Sequence, residues 1–180
     1  RQMCIRDSLV LEGGGHLFTF AQSIDGILVD GGRMSVLVRA DGSLVAVGGQ
    51  LVDRGARTRA AFAITAEHAL EVALGAHFGV ETHPVVSPRP TTSTWSRVVV
   101  PAVAGFYVER GRARRVLTAR DARLEPAFEV EVFAGSPSAS STDAFRFLVH
   151  AADGTLLATR DLTQSDSYTY RVHADAQRAP

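Results

Sequence analysis

The chain has 180 residues, 46% hydrophobic and 21% charged, with a formal net charge of zero. That length makes one domain, or two small ones, with a buried core. The balanced charge argues against a general pull toward nucleic acid or an anionic membrane, and no apolar run approaches the ~20 residues of a membrane-spanning helix.

Residues 1–8, RQMCIRDS, resemble a translated sequencing-adapter remnant, and residues 1–12 are expected to be an artefact or a disordered lead outside the fold. On that reading the natural N-terminus is missing, so the lack of a signal peptide says nothing about export. The segment holds the single cysteine, Cys4, which excludes an intrachain disulfide and a cysteine-based zinc site. All lysine and asparagine are absent. This usage points to a GC-rich bacterial genome and leaves no N-glycosylation acceptor.

Residues 16–51, HLFTFAQSIDGILVDGGRMSVLVRADGSLVAVGGQL, read as short strands joined by tight turns. Asp25-Gly26 and Asp41-Gly42 each lie between apolar segments, a hairpin signal because a two-residue type I′ turn needs positive φ at both central positions. Met34, Val36 and Val38 alternate with Ser35, Leu37 and Arg39, the period of a strand with one buried face. Gly13-Gly14-Gly15 lacks the Lys-Ser/Thr and the helix of a phosphate loop and reads as an entry loop. Residues 53–60 form a polar connector.

One helix follows. Thr65 is its N-cap, and Ala66, Ala69, Leu70, Ala73, Leu74 and His77 form an apolar stripe opposite Glu67 and Glu71. Gly79 suits the C-terminal cap. So short a helix is marginal alone and must lie on a sheet. Residues 83–96, with three prolines, read as a linker anchored by Trp95.

The remainder is strand material. Residues 97–100 stop at Pro101, and residues 106–108 and 115–117 flank Gly111 as a hairpin whose tip carries the basic run RGRARR. Phe128, Val130 and Val132 alternate with Glu129 and Glu131. Phe145, Phe147 and Val149 alternate with Arg146, Leu148 and His150. Asp153-Gly154 turns the chain into residues 155–160, and Tyr168, Tyr170 and Val172 alternate near the end. Residues 135–142 form a surface loop. VRADGSLVAV at 38–47 echoes VHAADGTLLAT at 149–159, two hairpins with the same turn chemistry.

Catalytic patterns are missing. No His-Glu-x-x-His occurs, and His68 and His77, nine residues apart, turn about 900° on a helix, onto opposite sides. No Gly-x-Ser-x-Gly elbow and no calcium-loop spacing occur. Glu129 and Glu131 lie on one strand face about 7 Å apart, a separation open to paired-carboxylate work but more simply a solvated face. The arginines at 110–115 lack aromatic interleaving, which disfavours nucleic acid and leaves an acidic partner open. The residues alone thus give an α+β domain of antiparallel sheets with Asp-Gly hairpins on one main helix, acting as a binding or folding module.

Residues 18–51, with Gln22, Gly26, Val29, Gly31-Gly32 and Asp41-Gly42, resemble the fungalysin/thermolysin propeptide domain. ITAEHALEVAL at 64–74 resembles the helix that follows in such pro-regions and in related PepSY domains. PAFEVEVFAG at 126–135, FLVHAADGTLLATRDLT at 147–163 and SYTYRVHAD at 167–175 look like the C-terminal half of the pro-region of bacterial fungalysin-type metallopeptidases. The resemblance implies two small subdomains: a propeptide-like hairpin unit at 13–55, a PepSY-like helix at 56–82, a linker at 83–96, strands at 97–175 and the start of a connector at 176–180. It implies a non-catalytic propeptide of a secreted zinc metalloendopeptidase, an intramolecular chaperone and inhibitor removed on maturation. The expected partner is the cognate catalytic domain in cis, with no nucleic acid and no membrane. No cofactor is expected in this chain; zinc belongs to the catalytic domain. Processing is expected around Asp161, Leu162, Thr163, Tyr168, Tyr170 and Val172. The alternative is a free-standing PepSY-like module that inhibits a protease or binds an envelope partner.

Overall fold

A computed structural model describes residues 2–53, 61–87, 94–103, 105–121, 123–135 and 142–163. The strands are β1 (Gln2–Val10), β2 (His16–Ile24), β3 (Ile27–Val38), β4 (Leu44–Gln50), β5 (Val85–Val86), β6 (Ser96–Val99), β7 (Tyr107–Arg120), β8 (Arg123–Gly135), β9 (Asp143–His150) and β10 (Leu156–Asp161). The helix α1 spans Ala66–Phe78. Among the described residues the ten strands form one open sheet, in the order β1-β2-β3-β7-β8-β9-β10, with β4 also on β3 and the β5–β6 pair on β7. Among the described residues the fold is therefore mostly β, with one short helix.

The sheet is mixed, not purely antiparallel. Leu28 and Val29 of β3 run parallel to Val116 and Leu117 of β7, and this short pairing joins the N-terminal strands to the rest. Ile24 and Val29 of the first part share a buried cluster with Leu117 and Leu124 of the second.

Residues 2–10, set aside from the sequence, form β1. It pairs antiparallel with β2 from Gln2↔Ser23 to Val10↔His16. An edge strand is held by main-chain hydrogen bonds to one neighbour, so its composition gives little warning. At the β2–β3 turn Asp25 and Gly26 both have positive φ, 51° and 80°, the geometry that splays neither strand. In the 39–43 turn the Asp41 carboxylate accepts from Ser43 N–H at 2.8 Å; after β9, Asp153 accepts from Thr155 N–H at 2.9 Å. β3 lacks the expected buried face along its outer half. Residues 34–38 are all half-buried and β4 is exposed throughout, because no second layer covers this arm among the described residues.

The Thr65 hydroxyl accepts from His68 N–H at 3.3 Å, and Gly79 ends α1 in the left-handed conformation. Ala69, Leu70, Ala73 and Leu74 are fully buried against Ala113, Val130, Val132, Phe147 and Val149. Each buried leucine contributes about 2 kcal/mol, which is why a 13-residue helix persists.

Gly111 is not a hairpin tip. β7 runs unbroken through it and pairs with β8 from Tyr107↔Gly135 to Arg120↔Arg123. Arginine alternates here with small residues, and the small ones face the helix. A Cβ on Gly111 would lie 3.0 Å from the Val98 carbonyl oxygen and 3.7 Å from Leu70 Cδ2. The linker expected at 83–96 contains β5, paired with β6. Most of the connector at 53–60 and most of the loop at 135–142 lie outside the described residues.

Candidate functional site

The sheet face opposite α1 carries the charge. A bulge in β7 between Val108 and Arg110 shifts the register by one residue. Val108 packs with the helix-side core, whereas Arg110, Arg112 and Arg114 point to the opposite face with Phe133, Glu131 and Glu129 across from them. Arg115 falls on the helix side, its guanidinium 4.9 Å from the Phe62 ring centre. The run RGRARR is thus a strand-borne ladder.

Arg112 Nε donates to Glu131 at 2.7 Å, and Arg114 Nε donates to Glu129 at 2.5 Å. Both guanidinium groups lie over the indole of Trp95, at 4.3 and 4.2 Å, within cation–π range. Glu129 is only 3% exposed, so the expected solvated carboxylate face is a buried ion network. The sequence conceals this because the partners come from other strands.

Glu129 serves two arginines. Its Oε1 lies 2.6 Å from Arg146 Nε on β9, and Arg146 also donates to Asp30 of β3. Burial alone would lower the pKa of Arg146, but Glu129 and Asp30 more than offset this and raise it above its ordinary value. Asp30 follows the two residues that pair with β7, and its contact with Arg146 leans the arm over this face. A cavity of about 450 Å³ lies there, lined in part by Gly31, Gly32, Arg33, Arg160 and Leu162.

The candidate processing residues divide. Asp161 closes β10 and accepts from Thr163 N–H at 2.8 Å, a hydrogen bond that lowers the Asp161 pKa. Leu162 N–H donates to the Ala144 carbonyl at 2.7 Å, and the Thr163 hydroxyl accepts from Ala144 N–H at 2.9 Å. Residues 161–163 are therefore pinned along β9, and a cut among them requires their release from Ala144. Tyr168, Tyr170 and Val172 lie outside the described residues.

Among the described residues the histidines do not gather into one site. His77 packs on Phe78, Phe145 and Phe147, with ring centres 4.5 to 5.5 Å away. His68 and His83 sit beside Glu71. His150 hydrogen bonds to Asp153 at 2.7 Å. Among the described residues no three His, Cys, Asp or Glu side chains are grouped to hold a metal ion, and no helix is long and apolar enough to cross a membrane.

Gln22 and Gly32 form a lock with Val52 at the base of the arm. The buried Gln22 side chain donates to the Val52 carbonyl at 2.8 Å and accepts from Val52 N–H at 2.9 Å. Gly32 makes room for it: a Cβ there would lie 2.6 Å from Gln22 Oε1 and 2.8 Å from Gln22 Cβ. No curated protein matches the chain. Residues 3–51, which run from within β1 to just past β4, match the family described as Fungalysin/Thermolysin Propeptide Motif. That match to a propeptide motif falls on the arm of β1–β4.

Proposed function

We propose that the chain is the non-catalytic pro-region of a secreted, fungalysin-type bacterial zinc metalloendopeptidase, templating and inhibiting its catalytic domain in cis until removed. The motif at residues 3–51 carries this reading. The arm supports it physically. Leu44, Val45 and Val47 are 45–61% exposed along β4, the outer strand on this side of β3 among the described residues. An apolar strand edge left open is a surface that another domain covers. Tethering supplies a high effective concentration, so modest intrinsic affinity suffices. The strands beyond the arm would be the PepSY-like half, and zinc would be held by the catalytic domain alone. Cleavage would fall within residues 161–168, at or beyond the anchor on Ala144.

The test is refolding of the catalytic domain encoded in the same reading frame, with and without this chain, followed by peptidase assay. The expected result is a higher refolding yield and suppressed hydrolysis until the chain is digested. Equal yield and unimpeded hydrolysis would overturn the proposal. N-terminal sequencing of the matured protein locates the cut; a start before residue 135 or well beyond residue 180 would contradict the proposed position.

A further inference from the structure

Beside the ion network lies a second groove, of about 710 Å³, lined by Trp95, Arg97, Arg110, Arg112, Glu131 and Phe133 together with the Gly111 backbone. Its charge is unbalanced. Glu131 is engaged by Arg112. Arg97 is exposed and has no ion pair among the described residues, and Arg110 is 77% exposed with only its neighbour Glu109 at 3.7 Å. Two cationic heads are thus presented to solvent in a protein whose formal net charge is zero. The walls are aromatic: Phe133 is 43% exposed, and Trp95 lies beneath Arg112 and Arg114.

We propose that this groove binds an extended acidic peptide segment. Arg97 lies opposite Arg112 across β6 and β7 and is therefore a diagonal neighbour of Arg110, about 7–8 Å away. That spacing matches carboxylates at alternate positions of an extended peptide, and guanidinium groups bind carboxylates with directed hydrogen bonds. The methylene stems of those acidic side chains meet Phe133 and the edge of Trp95. Stacking of nucleic-acid bases is disfavoured, because guanidinium groups already cover the indole. The inference rests on the groove and not on the propeptide reading.

Trp95 is the sole tryptophan, so fluorescence excited selectively in tryptophan reports on this groove alone. The experiment titrates the full chain with a capped heptapeptide alternating glutamate and leucine, with its glutamine counterpart, and with an oligothymidylate. The expected result is a saturable change with the glutamate peptide only, weakened about tenfold or more between 20 and 300 mM salt as screening sets in. The double substitution Arg97→Ser with Arg110→Ser should abolish the change while leaving the melting temperature within about 2 °C, since neither side chain holds the ion network. Arg39→Ser, in the arm, should leave binding intact. No saturable change, equal binding of the glutamine peptide, preference for the oligothymidylate, or undiminished binding by the double variant would each overturn the proposal.

Discussion

The Gln22 side-chain amide pairs with both main-chain groups of Val52 and so fastens the segment after β4 back onto β2. Gln22 is 1% exposed, and its amide supplies both a donor and an acceptor at that reach, which asparagine would offer only on a shorter stem. Gln22→Glu should therefore cost about 2–3 kcal/mol at pH 7, because the carboxylate faces the Val52 carbonyl with no proton to donate. The cost should shrink toward pH 4, where a protonated carboxyl regains the donor. Urea unfolding at the two pH values checks this; an equal cost at both would mean the Val52 carbonyl is not the partner that matters.

Gly32 is the space that this lock needs. Gly32→Ala puts a methyl within 2.8 Å of two Gln22 atoms, so the buried amide must shift off Val52. The expected loss is about 1–3 kcal/mol, the range for overpacking. Gly48→Ala is the control, since a Cβ there meets nothing within 4 Å. If the two variants unfold alike, backbone entropy and not the clash is responsible.

Much of the fold was legible wherever the signal is local. The Thr65 cap, the Ala69–Leu70–Ala73–Leu74 stripe and the alternation of β8 and β9 depend on neighbours within one element. The failures are long-range. Nothing in residues 28–29 announces a parallel partner at 116–117, and β1 has no composition that marks it as a strand. Two misses had a usable signal. The Arg-Gly-Arg-Ala-Arg alternation is strand-like, with small residues on the side where Leu70 must approach. The alternation of Phe128, Val130 and Val132 with Glu129 and Glu131 shows a glutamate face, but only the strand order reveals that Arg114 and Arg146 bury it.

Glu129 is the centre of the ion network, with Arg114 on one side and Arg146 on the other. Glu129→Ala leaves two largely buried guanidinium groups without their shared carboxylate and should cost about 3–5 kcal/mol. Asp30→Asn removes only the arm's share of the network and should cost about 2 kcal/mol, with faster amide exchange concentrated in β3. Chemical denaturation and hydrogen exchange read both effects. Equal costs, or exchange raised uniformly over the sheet, would show that Asp30 does not tie the arm down.

Asp153 offers a pH test that needs no partner domain. Its carboxylate accepts from Thr155 N–H and from the His150 ring, and these bonds lower its pKa to about 2. The unfolded chain binds this proton near pH ~3.9, the ordinary aspartate value. The folded pKa is the lower one, so the associated stability is fully present above the unfolded pKa and is lost as the pH falls toward 2. Asp153→Asn keeps an oxygen acceptor for Thr155 and removes the titration. Melting temperatures of the two proteins should therefore converge between pH 4 and pH 2, while the other carboxylates affect both alike. Parallel curves across that window would show that the Asp153 turn does not set the acid limb of stability.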